Sequence, residues 1–192
     1  MRVIAGTFRS RTLQAPSGLA TRPTSDRRRE TLFNVLAPRI AGAAFLDLYA
    51  GSGAVGIEAL SRGAQRVVFV ERAPAALKVL RTNLAKLDLK TGFDVQPESV
   101  SSYLRRGAGQ DRGFDVVFLD PPYDAEEEYA TTLGLLGGAA AGLLAEGAVV
   151  VAEHRRKQGL EDQYGSIART RLLRQGDAAL SFFGTIAPDA QE

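Results

Sequence analysis

Phe45-Leu46-Asp47-Leu48-Tyr49-Ala50-Gly51-Ser52-Gly53-Ala54-Val55-Gly56 is the stretch that decides how this chain folds. Phe45 to Tyr49 reads as a mostly apolar strand, and Val55 opens a helical run to Arg62. Between them, Gly51, Gly53 and Gly56 satisfy G-x-G-x-x-G, the pattern that turns a strand tightly into a helix and brings backbone close to a ligand. Working outward, the alternation repeats. Val67–Glu71 reads as a strand and Pro74–Leu87 as a helix with proline in its first turn. Phe93–Val95 is strand, Val100–Arg105 helix and Phe114–Asp120 strand, followed by a helix from about Glu126 and a strand over Val149–Glu153. Such alternation predicts an α/β protein with a parallel sheet covered on both faces. The end departs from it. Thr170–Arg174 and Ala179–Gly184 flank Gln175-Gly176-Asp177, which predicts an antiparallel hairpin.

Upstream, Val3-Ile4 and Thr12-Leu13-Gln14 flank an arginine-bearing turn, a short basic hairpin. Thr21–Asp26 reads as a loop ending in N-cap candidates. Arg27–Leu36 follows as a helix that buries Leu32, Phe33 and Leu36 and is closed by Pro38. The expected organisation is one domain over 1–192, with a basic hairpin and helix over 1–40 and the α/β core over 41–192.

The composition, 45% apolar and 24% charged, is that of a soluble globular protein and supports a sizeable core. With no cysteine, disulfides, thiolate catalysis and cysteine-ligated zinc are excluded. With one histidine, so is a histidine-rich metal site, and no resident metal is expected; His154 reads as a surface residue at a strand end. The start lacks the apolar core of a signal peptide. Leu133–Ala152 is broken by Glu146-Gly147 into a helix and a strand, which argues against a membrane span. A cytoplasmic protein without membrane contact is expected. Net charge is only +2, but residues 1–30 hold seven arginines against Asp26 and Glu30, a surplus of five that leaves −3 elsewhere. Arginine's planar fork suits phosphates and base edges, so this end reads as a nucleic-acid footprint.

Glu71 follows Gly51 by 20 residues, where a ribose-binding acid is expected. The glycines and Glu71 alone leave a nicotinamide dinucleotide and S-adenosylmethionine both open. Asp47 separates them. A carboxylate at the strand mouth would repel a pyrophosphate by roughly 1–4 kcal/mol at about 4 Å, whereas an ammonium and a sulfonium favour it.

Asp120-Pro121-Pro122-Tyr123 ends the strand from Phe114. Asp120 offers a carboxylate, and Pro121 has no N–H and a stiff φ. Pro122 keeps Pro121 out of the helical region, and Tyr123 adds a ring that can stack on a base. A carboxylate and a carbonyl together can accept both hydrogens of an exocyclic amine.

These motifs together resemble the RsmD family of bacterial 16S ribosomal RNA guanine-N2 methyltransferases. The likeness runs through Met1–Gly6, Arg22–Asn34, Asp47–Leu60, Asp120–Tyr123, and Gly176-Asp177 before Leu180–Phe183. The Asp-Pro-Pro-Tyr turn gives only the reaction class, because DNA amino-methyltransferases share it; the Arg22–Asn34 block is the specific part. The resemblance implies a Rossmann-like methyltransferase fold, S-adenosylmethionine as donor and a guanine of 16S rRNA, in a 30S subunit or assembly intermediate, as acceptor. It places Asp47, Gly51, Ser52, Gly53 and Glu71 at the donor and Asp120, Pro121, Pro122 and Tyr123 at the catalytic turn. Where relatives often carry Asp or Asn against the adenine, this chain has Ser99, with Glu98 beside it. Arg9, Arg11, Arg22, Arg27 and Arg29 are the expected RNA contacts. A DNA adenine or cytosine amino-methyltransferase and an NAD-dependent oxidoreductase are the alternatives, although 192 residues leave no separate DNA target-recognition domain.

Overall fold

The computed structural model describes residues 1–15, 26–107, 113–122 and 126–186; Arg22 and Tyr123 lie outside them. Helix α1 (Asp26–Ile40) precedes β1 (Ala44–Leu48), α2 (Ala54–Ser61), β2 (Arg66–Val70) and α3 (Pro74–Lys86). Then come β3 (Phe93–Gln96), α4 (Val100–Gly107), β4 (Phe114–Leu119), α5 (Glu126–Leu136), β5 (Leu144–Arg155), β6 (Gln163–Tyr164), β7 (Ile167–Gln175) and β8 (Ala178–Thr185). The eight strands form one sheet in the order β3-β2-β1-β4-β5-β8-β7-β6. β1 to β5 are parallel; β8, β7 and β6 join antiparallel. The expected parallel sheet ending in an antiparallel hairpin is what forms.

Strand alternation splits the core into two layers. Phe45, Phe69, Val116, Phe118 and Val151 face α1, α2 and α3, meeting Leu32, Phe33, Leu36, Leu80 and Leu84. Leu46, Leu48, Val68, Val70, Val117 and Leu119 face α4 and α5, meeting Leu104, Tyr129, Leu133 and Leu136. Each fully buried side chain of this kind contributes about 1.5–3 kcal/mol. Phe33 stacks on Phe45 at 6.3 Å between ring centroids, fixing α1 over the middle of the sheet.

Helix α1 runs past Pro38, which sits in its last turn rather than closing it. Burial of Ile40 (1% exposed) holds that turn, and Gly42, at φ 78°, makes the exit. Glu146-Gly147 does not separate a helix from a strand. It lies inside β5, at an irregularity where the pairing of β4 jumps from Leu144 to Val149. The turn bends because Gly147 takes φ 69°. The two-residue β6 was not anticipated, being too short to show a period. His154 is not a surface residue: it is 5% exposed. Its Nε2 lies 2.9 Å from Ser181 Oγ and its Nδ1 2.9 Å from the Arg155 carbonyl. A carbonyl only accepts, so Nδ1 carries the hydrogen and Ser181 donates to Nε2. Burial lowers the pKa of this imidazole, which suits the neutral form.

The N-terminal hairpin forms around the Arg2–Thr12 bridge and is anchored on α2. Glu58, fully buried, accepts the amides of Ile4 (2.8 Å) and Ala5 (3.0 Å). Ser61 Oγ accepts from Phe8 N at 2.9 Å, and the Ser61 carbonyl accepts from Thr7 N at 2.8 Å. The approach at Gly6 is so close that a Cβ there would fall 1.8 Å from the Ser61 carbonyl oxygen. Among the described residues no helix is long and apolar enough to cross a membrane.

Candidate functional site

The strand order reverses between β1 and β4, since β2 and β3 extend on one side and β5 on the other. In open α/β sheets that switch point opens a crevice beyond the strand carboxyl ends. Leu48 pairs with Leu119, so the glycine loop after β1 and the Asp120 turn after β4 leave the sheet side by side. Asp47 is level with Phe118. By alternation Asp47 and Asp120 share the α1–α2 face, with Cα atoms about 8 Å apart from strand spacing and rise. The backbones of Asp47 and Asp120 thus lie near each other at this switch point.

Asp47 is closed off from solvent (1% exposed), and its Oδ2 accepts the Gly56 amide at 2.9 Å. It thus occupies the amino end of α2 from inside, where a phosphate would otherwise bind. A direct contact with a cationic donor is not what this placement provides; the carboxylate shapes the loop and denies the position to an anion. Burial pushes its pKa up to about 7, the Gly56 amide opposing and the Glu71 charge adding.

Glu71 spans the loop and the next strand. One oxygen accepts Gly51 N at 2.8 Å and the other Ala73 N at 2.8 Å. A carboxylate has about four acceptor sites, so capacity for two hydroxyls is left. Gly51 takes φ 56°, and a Cβ there would have nothing nearer than 3.9 Å, so the outer side of the loop is open. Gly53 is different. At φ 78°, its Cβ would strike Leu80 Cδ1 at 2.2 Å, so it serves packing. The Ser52 carbonyl accepts from Asn83 Nδ2 at 2.9 Å. Ser99 follows β3, and its hydroxyl accepts from Ser102 N at 3.2 Å, capping α4. Glu98 pairs with Arg106. Seen along the row β3-β2-β1, the Ser99, Glu71 and Gly51–Gly53 positions line one edge of the sheet. The open side of the loop at Gly51 and the remaining acceptor capacity of Glu71 leave room there for the hydroxyls of a nucleoside.

Asp120 is half-buried, Pro121 buried and Pro122 exposed. Tyr49 links the glycine loop to α5, the helix that follows this turn. It takes φ 61°, uncommon for an aromatic residue. Its hydroxyl donates to Glu128 Oε2 at 2.8 Å and lies 2.7 Å from Thr132 Oγ1, both on α5, the helix that follows the Asp120 turn. Arg28 Nη1 meets Glu153 Oε1, on the neighbouring strand β5, at 2.6 Å in a buried pair.

The arginines divide. Arg27 is exposed at the start of α1. Arg29 is corrected: it is 0% exposed, so it cannot hold RNA. Its Nη2 donates to Asp26 (2.9 Å) and to the Arg2 carbonyl, and its Nε lies 3.7 Å from Glu58. Arg29, Leu32, Phe33 and Leu36 fall at i, i+3, i+4 and i+7, which puts the arginine on the buried stripe. Arg9 and Arg11 are exposed on the hairpin tip, beside the C-terminal ends of α2 and α3 and away from the crevice; Arg11 Nη2 donates to the Lys86 carbonyl at 2.7 Å.

Sequence reasoning missed Glu58, Asn83, Arg28 and Glu153. Asn83 is fully buried, accepts from Gln14 N (2.8 Å) and donates to the Gln14 (3.0 Å) and Ser52 (2.9 Å) carbonyls. It ties the N-terminal arm to the glycine loop. The signal was a polar residue on the stripe of Ala76, Leu77, Leu80 and Leu84. Among the described residues no cluster of three or more His, Cys, Asp or Glu could hold a metal.

Residues 1–184 match the family described as conserved hypothetical protein 95. The chain is 39% identical over 183 residues to "Putative rRNA methyltransferase YlbH" of Bacillus subtilis, covering 95% of this chain and 98% of that protein. It is 39% identical over 160 residues to "Ribosomal RNA small subunit methyltransferase D" of Escherichia coli, covering 83% and 77%. Among solved structures it superposes on "Putative methyltransferase yhhF from Escherichia coli" with a TM-score of 0.82 and 34% identity, covering 96% of this chain and 97% of that one. The fold is thus the Rossmann-like fold of methyltransferases.

Proposed function

The chain belongs to the conserved hypothetical protein 95 family, the RsmD family, and from that premise we propose that it is a methyltransferase of small-subunit ribosomal RNA. On this reading the donor is S-adenosylmethionine and the acceptor the exocyclic N2 amine of a guanine. The observation that carries the proposal is the β1–β4 register, with Leu48 against Leu119, which sets the donor loop and the Asp120 turn next to each other.

The donor supplies an electrophilic methyl group on a sulfonium. Glu71 would accept hydroxyls from its ribose, Gly51 and Ser52 would pass its amino-acid portion along open backbone, and Ser99 and Glu98 lie where its base would rest. Asp47 works from behind, holding the glycine loop on α2.

The guanine amine is a poor nucleophile because its lone pair is delocalised into the ring. Asp120 and the Pro121 carbonyl each accept one N–H. Held by both, the nitrogen moves toward tetrahedral geometry and its lone pair points at the methyl group. Positioning of this kind lowers a barrier by several kcal/mol. Transfer would form the N–C bond as the S–C bond breaks and a neutral thioether leaves. The positive charge building on nitrogen would be stabilised by the Asp120 carboxylate and relieved by loss of one N–H proton to solvent. Tyr123 would stack on the extruded base, and Arg27 would hold phosphate at the crevice rim.

The experiment is methylation of small-subunit particles from cells lacking the enzyme, followed by mapping of the modified base. The expected product is one N2-methylguanine in the small-subunit RNA. Asp120→Ala should bind donor normally and lose most turnover, by about a hundredfold or more if it removes a charge-stabilising contact. Turnover near the wild-type rate would refute the role given to Asp120.

A further inference from the structure

The carboxyl ends of β3, β2, β1 and β4 carry Ser99, Glu71, the Gly51 loop and Asp120, and the next strand in that row is β5. We infer that the turn after β5, Arg155–Gly159, binds RNA backbone, holding phosphates of nucleotides next to the acceptor base; the inference rests on the RNA-methylation reading above.

Register sets the location. Leu119 pairs with Ala152, so Glu153 is level with Asp120, and Arg155 extends two residues further, about 7 Å. Arg155 shares the face of Glu153 by alternation. Helix α1 reaches this end of β5 through the Arg28–Glu153 contact at 2.6 Å.

Chemistry sets the ligand. A cleft of about 480 Å³ is lined by Glu127, Arg155, Lys157, Gln158 and Gly159. That is room for a nucleotide, and with no apolar side chain in the lining it does not suit the usual apolar small molecule. Arg155, Arg156 and Lys157 are all exposed. Three consecutive cations one strand from the acceptor turn offer phosphate contacts that fix register without reading sequence.

The turn is also pre-formed. The Arg155 carbonyl accepts from Gln158 N at 3.0 Å and from His154 Nδ1 at 2.9 Å. Arg156 N donates to the Asp177 carbonyl at 2.8 Å, tying the turn to the β7–β8 loop. The buried His154, which the proposed reaction does not use, thereby braces an RNA-facing turn. Glu127 is the acid in the lining, and it opposes phosphate.

The test measures binding of unmethylated small-subunit particles without methyl donor, as a function of salt. Arg155→Gln/Lys157→Gln is compared with wild type, and donor affinity checks the fold. Each single-strand phosphate contact contributes about 0.7 to the slope of log affinity on log salt. Losing two lowers the slope by about 1.4, so a rise from about 50 to 200 mM salt costs roughly sevenfold less affinity. Lys157→Glu alone should weaken binding and Glu127→Gln should tighten it, which keeps the question decided even where the double variant folds poorly. A folded double variant with the wild-type slope, or single variants that shift affinity in neither direction, would overturn the site. Wild-type protein that binds particles and transfers no methyl group would instead overturn the reaction proposed above, and the salt slope would still decide this turn.

Discussion

Asn83→Ala separates the donor loop from the N-terminal arm at a single side chain. Asn83 makes three hydrogen bonds, two to the backbone of Gln14 and one to the Ser52 carbonyl, and it is fully buried. At about 1 kcal/mol net for each bond, truncation costs about 3 kcal/mol of global stability, a substantial part of the 5–15 kcal/mol typical of a domain. Only the bond to Ser52 belongs to the donor loop. Its loss leaves the loop to be ordered by the donor itself, at about 1 kcal/mol with water replacing the amide and up to about 3 kcal/mol with the carbonyl orphaned. Donor affinity should then fall at least about fivefold, and more than a hundredfold at the upper limit. Calorimetric titration of S-adenosylmethionine into both proteins, at a temperature where both are folded, reads this directly. A variant that melts earlier but binds the donor within twofold of wild type would show that Asn83 holds the arm and not the loop.

Other perturbations follow from the buried polar groups. The folded state keeps the Asp47 carboxyl protonated up to about 7, against 3.8 ordinarily, because of burial. Its contribution to stability is therefore full below about pH 4 and is lost as pH climbs to about 7, by no more than about 1.4 kcal/mol per unit. The urea midpoint should fall across that window, and Asp47→Asn should flatten the fall. Gly6→Ala places a Cβ 1.8 Å from the Ser61 carbonyl at φ +81°; limited proteolysis should then cut the first 15 residues faster than in wild type. Glu153→Gln removes the anion from a buried pair, and the denaturation midpoint should drop by the equivalent of about 3–5 kcal/mol. Replacing both partners with Arg28→Met/Glu153→Leu should recover much of that loss.

What was legible in the sequence is what depends on periodicity and turn chemistry. The glycines at 51, 53 and 56 fixed one strand-to-helix turn, and the alternating runs fixed the strands around it. Asp120 was legible as the end of an apolar strand, and its neighbour became known only with the β1–β4 pairing, which no local pattern encodes. The arginines show the limit. Arg27 and Arg29 look alike as residues, and only the helical spacing to Leu32, Phe33 and Leu36 separates an exposed rim from a buried stripe. Asp47 reads in sequence as a carboxylate at the strand mouth, and only the fold shows it turned inward to accept the Gly56 amide nine residues on. His154 was misread because its partner, Ser181, comes 27 residues later on β8. Nothing near the histidine in sequence signals that pairing.

The order in which the sheet is filled has its own outcome. β8, the last strand along the chain, is not at the rim but inside, with β5 on one side and β7 on the other. Phe182, Phe183 and Leu180 carry apolar groups into that slot. A polypeptide cut or halted before Ala178 would leave β5 with an open, apolar flank and β7 with nothing to join. Unpaired strand flanks of that sort recruit other chains. Nascent or clipped forms of this protein that lack β8 should therefore clump rather than persist as a smaller working enzyme, and β8 is a poor place to trim.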